Sequence, residues 1–207
     1  MNCGTILFAA GRGGSPARHV ETIELWRERG FTVTTPEFPM LASMHPTAEE
    51  LLGRVEAMSA ALDETDSDGL VTGVGHSIGA TLLLAMAGAQ IWLGPGQRLD
   101  IATDPRIARI AMLAPPVGFF GAPQALDAVA LPILLRSGGR DRAIPLETQQ
   151  WLVDELSPRM PVDYAVVAEA GHFTFMDVPP PNTPEPMPDA EQYRVKMAGE
   201  IADFATG

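Results

Sequence analysis

The sequence predicts an α/β fold in which a mostly parallel sheet of about six strands is flanked by helices on both faces. Two observations carry this prediction. Short β-rich apolar runs alternate with longer helix-like segments along the chain. The 207 residues, 46% of them hydrophobic, contain neither an internal repeat nor a dividing linker. We therefore expect one domain over residues 1–207, with parallel strands joined by right-handed crossovers.

The strands are predicted from short runs of β-branched and apolar residues. The first is TILFA, and the third, GLVTGV, leads into a glycine-rich turn. In chain order the six predicted strands are residues 5–9, 31–36, 69–74, 106–114, 132–138 and 162–168.

The helices are predicted from apolar periodicity and from end signals. Thr47 and Glu50 have the spacing of a capping box, which starts a helix that reaches about residue 62. The uncharged apolar stretch 78–93 predicts a helix that is buried on most sides. The other helices are expected at residues 17–29, 146–156 and 189–205. The proline-rich segment 178–188 cannot be helical and is predicted to be an extended surface loop.

The composition argues against several classes of function. A formal net charge of −12 disfavours nucleic acid as a partner. Cys3 is the single cysteine, so a disulfide within the chain is excluded and a reducing, cytoplasmic compartment is expected. The start of the chain does not read as a signal peptide, and the longest apolar stretch is too short to cross a bilayer.

Bound cofactors are not expected either. The histidines, cysteine and acidic residues do not cluster at metal-ligand spacing, so we predict no metal. The GRGG stretch lacks the lysine and the hydroxyl residue of a phosphate-binding loop, which argues against a nucleotide.

Candidate reactive residues follow the third, fifth and sixth predicted strands. Ser77 lies in GHSIG, Asp141 in GGRDRAIP and His172 in AGHFTF. Ligands of open parallel sheets bind beyond the carboxyl ends of the strands, where these three loops meet. An imidazole base can activate a serine hydroxyl, and a carboxylate can orient that imidazole, so we predict a catalytic triad. Asp141 could instead form only an Asx-turn, and the rival acids are Asp127, Glu169 and Asp177.

A tight turn with strained dihedrals would project the Ser77 side chain from between a strand and a helix. Gly75 and Gly79 are then required, because a Cβ at either position would collide with the neighbouring strand or helix. We expect the backbone N–H groups of Ile78 and Arg12 to form an oxyanion hole for the tetrahedral intermediate. Arg12 belongs to the glycine-rich loop that follows the first strand.

These motifs resemble the α/β-hydrolase superfamily, and most of all its small bacterial dienelactone-hydrolase-like members. The resemblance rests on GHSIG, GGRDRAIP, AGHFTF and the AAGRGG loop, in that order over nearly the whole chain. Dienelactone hydrolases carry cysteine where this chain has Ser77, which favours ordinary ester chemistry. The resemblance implies a compact hydrolase fold and an enzyme that needs no cofactor. The short segment 115–131 leaves no room for a cap domain.

Apolar side chains in the strand-end loops are candidates for an acyl or alcohol pocket, or for ordinary core. They are Met40, Met44, Phe119, Phe120 and Phe173, with Phe175 and Met176 beside them. His76 is expected to pack with its ring directed away from Ser77, and His19 and His45 to lie at the surface. The segment 178–188 is a candidate cover for the site.

The leading interpretation is a serine hydrolase that acts on a small ester or thioester. A non-catalytic binding module on a hydrolase fold remains an alternative. The same triad could also serve acyl transfer, perhydrolysis or carbon–carbon hydrolysis. The sequence leaves open the natural substrate and whether the protein forms a homodimer.

Overall fold

A computed structural model describes residues 3–65 and 69–207 of the chain. The strands are β1 (Thr5–Ala9), β2 (Thr32–Thr34), β3 (Val71–His76), β4 (Ile107–Leu113), β5 (Ile133–Gly138) and β6 (Val162–Val167). The helices are α1 (Val20–Glu28), α2 (Ala48–Asp63), α3 (Ile78–Met86), α4 (Leu146–Leu156) and α5 (Ala190–Thr206). Two short 3₁₀ helices, Pro16–His19 and Gly118–Phe120, lie in the loops.

The six strands form one sheet in the order β2-β1-β3-β4-β5-β6, and every pair is parallel. The predicted fold class is therefore confirmed. The chain moves outward from β1 to β2, then returns to the other side of β1 with β3. This change of direction separates the loops that leave β1 and β3, which opens a crevice at the carboxyl edge between them.

The sheet is covered on both faces, as the alternation of strand-like and helix-like segments along the chain predicts. Leu7 and Ala9 belong to the core that is shared with α2, α3 and α4. Ile6 and Phe8 belong to the core on the opposite face, where Trp26 of α1 and Ile201 of α5 pack. Successive side chains of a strand point to opposite faces, so five residues supply both cores.

Helix α2 begins at the predicted capping box. The Thr47 side chain accepts a hydrogen bond from the Glu50 backbone, and the Glu50 side chain accepts one from Thr47. Helix α3 is shorter than predicted, because it ends at Met86 and Gly88 then takes a φ of 110°. A left-handed glycine closes the last turn, so the chain turns at residues 87–88, and residues 89–93 lie outside the helix despite their apolar composition.

Candidate active site

Ser77 sits in a tight turn between β3 and α3 and has strained dihedrals, φ 54° and ψ −129°. A Cβ on Gly79 would lie 2.2 Å from the Ala9 carbonyl oxygen, and one on Gly75 would lie 2.4 Å from the Ala80 backbone. The predicted need for glycine at both positions is confirmed. Because strand and helix approach so closely, the Ser77 side chain is held at the carboxyl edge of the sheet.

The structure brings Ser77, His172 and Asp141 together from three separate loops. His172 Nε2 lies 3.1 Å from Ser77 Oγ, and His172 Nδ1 lies 2.8 Å from Asp141 Oδ2. With its proton on Nδ1, the ring donates to the carboxylate and its Nε2 accepts from the serine hydroxyl. The Asp141 side chain is 1% exposed and that of His172 is 9% exposed, so this chain of hydrogen bonds is shielded from water.

Asp141 forms the Asx-turn and also contacts His172. Its Oδ1 accepts hydrogen bonds from the backbone N–H groups of Ala143 and Ile144, at 2.7 and 2.9 Å, which makes the Asx-turn. Its Oδ2 is left for His172. Burial works to raise the pKa of Asp141, but the hydrogen bonds from His172 and the two N–H groups outweigh it and lower the pKa. The carboxylate therefore stays ionised beside the imidazole.

The rival acids are engaged elsewhere. Asp177 accepts from the Thr22 backbone and hydroxyl at 3.0 and 2.8 Å and pairs with Arg194. Glu169 pairs with Arg140 at the surface. Asp127 is exposed in the loop between β4 and β5. Of the four predicted acids, Asp141 is the one that contacts His172.

His76 lies below the triad and supports the loop of His172. Its Nε2 donates to the His172 carbonyl oxygen at 2.9 Å, and the two rings lie 5.1 Å apart. On the other side, the ring of His19 lies 5.4 Å from that of His76 and 4.7 Å from that of Phe8. Burial lowers the pKa of His76 far below its ordinary value and that of His19 to about 4, so both rings are neutral at pH 7.

The prediction of a surface position for His19 is therefore wrong. The residue is 1% exposed because the 3₁₀ turn Pro16–His19 directs its ring inward, onto Phe8. His45 is exposed, as predicted.

Arg12 and Ile78 both line the cavity beside Ser77, and their backbone N–H groups lack an internal acceptor among the described residues. Within residues 3–65 and 69–207, neither the Arg12 N–H nor the Ile78 N–H donates a hydrogen bond. The Gly11 backbone is packed against the turn, since a Cβ there would lie 3.2 Å from the Ser77 Cβ. Ile78 is also the first residue of α3, where the helix dipole favours negative charge. This arrangement fits the predicted oxyanion hole, whose role stays a prediction.

An apolar cavity of about 500 Å³ opens beside Ser77. Of the predicted pocket residues, Met40, Met44, Phe119 and Phe173 line it, and Met176 joins them. Phe120 does not line the cavity, because its ring is 1% exposed and packs in the core with α3. Phe175 is likewise core. Pro180 and Pro181, from the proline-rich loop, form part of the wall.

Arg54 of α2 is a site residue that the sequence analysis missed. Its guanidinium donates to three loop carbonyls, those of Gly11, Arg12 and Pro39, at 2.7 to 2.8 Å. A signal was present in the sequence. Arg54 falls on the buried stripe of α2 that also contains Leu51, Met58 and Leu62. A cation in an apolar stripe indicates an unusual acceptor.

Within the part of the chain that the structure describes, His, Cys, Asp and Glu side chains form no group that could hold a metal ion. Over the same residues, none of the helices has both the length and the apolar character needed to cross a membrane.

No protein-family model and no curated protein matches this sequence. Solved structures do match. A propionate-bound esterase from Thermogutta terrifontis aligns with a TM-score of 0.66 at 16% identity, over 98% of this chain and 84% of its own. An esterase from Pyrococcus furiosus gives 0.68 at 14% identity, over 98% of this chain and 82% of its own. A proposed α/β-superfamily hydrolase from Xanthomonas campestris aligns with a TM-score of 0.61 at 19% identity, over 97% of this chain and 99% of its own.

The chain therefore has an α/β-hydrolase-like fold, as the resemblance of its motifs implied. The narrower likeness to dienelactone hydrolases stays a prediction.

Proposed function

We propose that this protein is a serine hydrolase that cleaves a small carboxylic ester or thioester through an acyl-enzyme on Ser77, without a cofactor. The observation that carries the proposal is the unbroken chain of hydrogen bonds from Asp141 through His172 to Ser77, at the mouth of an apolar cavity. A binding role alone would require none of these contacts. The fold match to two esterases adds support.

In the first half of the reaction, Ser77 Oγ attacks the ester carbonyl and its proton passes to His172 Nε2. Asp141 stabilises the resulting imidazolium, and the Arg12 and Ile78 N–H groups receive the oxyanion. His172 then returns the proton to the leaving alcohol or thiol as the tetrahedral intermediate collapses to the acyl-enzyme.

In the second half, His172 takes a proton from a water molecule, which attacks the acyl carbonyl. Collapse of the second tetrahedral intermediate releases the carboxylic acid and returns the proton to Ser77. The cavity of about 500 Å³ suits small acyl and alcohol groups. The single cysteine, Cys3, fits a reducing cytoplasm.

The proposal is tested with Ser77→Ala and His172→Ala in assays on p-nitrophenyl acetate and butyrate. Each variant should lose about 10⁴-fold or more in kcat, because the triad acts as a unit. Ser157→Ala is the matched control for Ser77→Ala, since it removes an exposed serine that does not line the cavity. Unchanged turnover in either triad variant rejects the assignment.

A fluorophosphonate probe separates this proposal from a binding module. Labelling should reach one serine in the wild type and none in Ser77→Ala. A wild-type protein that stays unlabelled and inactive, yet holds a small ligand tightly, would favour the binding module. A panel of esters with graded acyl length would then define the preferred substrate of an active enzyme.

A further inference from the structure

Arg54 is a buried cation whose bonding partners are carbonyl oxygens. The residue is 2% exposed. Within residues 3–65 and 69–207 its guanidinium forms no ion pair, and its Nε has no hydrogen-bond partner. Its hydrogen bonds are therefore the three to the loop carbonyls, and its ring contact is with Phe38, 5.0 Å away.

A second buried arginine shows what a structural role looks like in this chain. Arg136, 7% exposed, pairs with Asp163 at 3.1 Å and with Glu200 at 3.2 Å. A buried charge is costly unless it is paired, and Arg136 is paired with acids. Arg54 forms no such ion pair: the charge of Glu50, one turn earlier on α2, acts on it, but the Glu50 oxygens accept hydrogen bonds from the Ala42 and Thr47 backbone. The burial of Arg54 beside the loop that follows β1 therefore calls for another explanation.

The loops that follow β1 and β2 are held together by backbone hydrogen bonds as well as by Arg54. The Phe38 N–H donates to the Gly14 carbonyl at 3.0 Å, and the Leu41 N–H donates to the Arg12 carbonyl at 3.1 Å. The Gly14 N–H donates to the Gly11 carbonyl at 3.0 Å. These backbone bonds tie the two loops together, which makes a cation unnecessary for that purpose alone.

The distinctive contact is the one between Arg54 Nη1 and the Gly11 carbonyl oxygen, at 2.8 Å. That carbonyl and the Arg12 N–H belong to one peptide unit. The described chain contains no cis peptide bond, and in a trans peptide the C=O and N–H point in opposite directions. The Arg54 guanidinium holds the Gly11 carbonyl oxygen, so the Arg12 N–H of the same peptide points away from Arg54. Gly11 itself is packed against Ser77.

We propose that Arg54 is a positioning residue for the oxyanion hole, which aims and polarises the Gly11–Arg12 peptide so that the Arg12 N–H binds the oxyanion formed at Ser77. This inference rests on the proposed function. A positive charge behind the carbonyl draws electron density through the peptide and strengthens the N–H as a donor. It also adds a favourable potential at the developing negative charge. Burial lowers the pKa of Arg54 to about 10, so the side chain stays charged at neutral pH.

The test compares Arg54→Gln and Arg54→Lys with the wild type on p-nitrophenyl acetate. Arg54→Gln should lower kcat about 10- to 100-fold with KM changed less than about threefold, because the contact matters after the oxyanion has formed. Arg54→Lys keeps the charge but has fewer donors, and should lose about 3- to 10-fold in kcat. Thermal unfolding establishes that each variant is folded under the assay conditions.

An inhibitor pair separates positioning from damage to the cavity. With 1,1,1-trifluoropentan-2-one, Ser77 Oγ adds to the carbonyl carbon, its proton passes to His172, and the carbonyl oxygen becomes an oxyanion. Pentan-2-one fills the same space without forming that adduct. Arg54→Gln should weaken the trifluoroketone about 10- to 100-fold and change the Ki of pentan-2-one less than about threefold.

Arg109→Gln is the matched control. Arg109 also donates to a carbonyl, that of Phe204 at 2.6 Å, and lies 5.8 Å from that ring, away from the site. Its kcat should stay within about twofold of the wild type. A wild-type kcat in Arg54→Gln overturns the proposal, as does equal weakening of both ketones. If Arg54→Gln does not fold, a wild-type kcat in Arg54→Lys overturns it.

The same assay keeps the two proposals apart. Ser77→Ala retaining wild-type turnover would remove the proposed function itself. An inactive Ser77→Ala beside a fully active Arg54→Gln would remove the positioning role alone.

Discussion

Two regions that meet at Ser77 are built in contrasting ways. One is the elbow, formed by β3, the turn at Ser77 and α3, in which every residue is buried. A Cβ added at Gly75 or Gly79 of this elbow would meet backbone. The other is the rim of the cavity, where Met40 is 63% exposed and Met44 is 69% exposed. The elbow fixes Ser77 Oγ, the proposed nucleophile, in one place. The rim offers flexible apolar side chains, which adapt to different partners.

The difference suggests that the two regions determine different properties. Changes in the elbow should affect folding and all turnover together. Changes in the rim should leave the fold intact and alter which ester is preferred. Three predictions test this division.

The largest effect is expected for Gly79→Ala. Its Cβ would lie 2.2 Å from the Ala9 carbonyl oxygen, so β1 or α3 must shift. We expect a loss of about 3 to 5 kcal/mol in the free energy of unfolding, measured in urea, together with loss of esterase activity. Gly53→Ala is the matched control, because a Cβ there meets nothing within 4 Å. That exposed helical position should gain up to about 1 kcal/mol. Equal stability of both variants would contradict a rigid elbow.

A smaller effect is expected from acid at His19, below the elbow. Burial, opposed by Asp177 and reinforced by Arg18 and Arg194, lowers its pKa to about 4. Below pH 6.5 His19 therefore binds a proton in the unfolded chain but stays neutral in the folded chain. The free energy of unfolding falls as the pH falls towards 4. The stability advantage of wild type over His19→Gln should shrink by about 2 to 3 kcal/mol between pH 7 and pH 4.

Urea unfolding at several pH values measures that advantage. The pKa of His76 is lowered chiefly by its burial, which is present in both proteins, so most of its contribution cancels in the difference. His45→Gln, at an exposed position, should follow the wild-type profile in parallel. A constant gap between wild type and His19→Gln would show that the buried ring titrates like a free one.

The smallest effect is expected at the rim. Met40→Ala and Met44→Ala should change the free energy of unfolding by less than about 0.5 kcal/mol. The kcat/KM ratio of p-nitrophenyl hexanoate to acetate should fall about 3- to 10-fold, since longer acyl chains lose apolar contact. Val195→Ala, at a position of similar exposure on α5 and outside the cavity, is the control. An unchanged ratio would exclude these methionines from the acyl pocket.

The elbow could be predicted from the sequence more completely than the surroundings of individual side chains. The strands and the meeting of Ser77, Asp141 and His172 could be predicted, because parallel strands place their loops at one edge. The glycines around Ser77 report a local steric requirement, which a sequence records directly. The strands, the triad and these glycines depend on residues nearby in the sequence or on the order of the parallel strands.

The failures concern side chains whose surroundings are set by distant contacts. His19 is buried by its approach to Phe8, and Phe120 turns into the core instead of the cavity. Helix α3 ends early, at the backbone conformation of Gly88, although the apolar pattern continues. The position of Arg54 on an apolar stripe is explained by three carbonyl acceptors in two distant loops, which the sequence alone does not show.

The backbone of Ser77 carries one more consequence. At φ 54° and ψ −129° a side chain is disfavoured, and glycine would adopt this geometry with less strain. Under the proposed function, the backbone conformation that makes Ser77 reactive therefore lowers the stability of the fold at the same residue. Under that function, a relative that no longer needs the nucleophile is expected to carry glycine at this position.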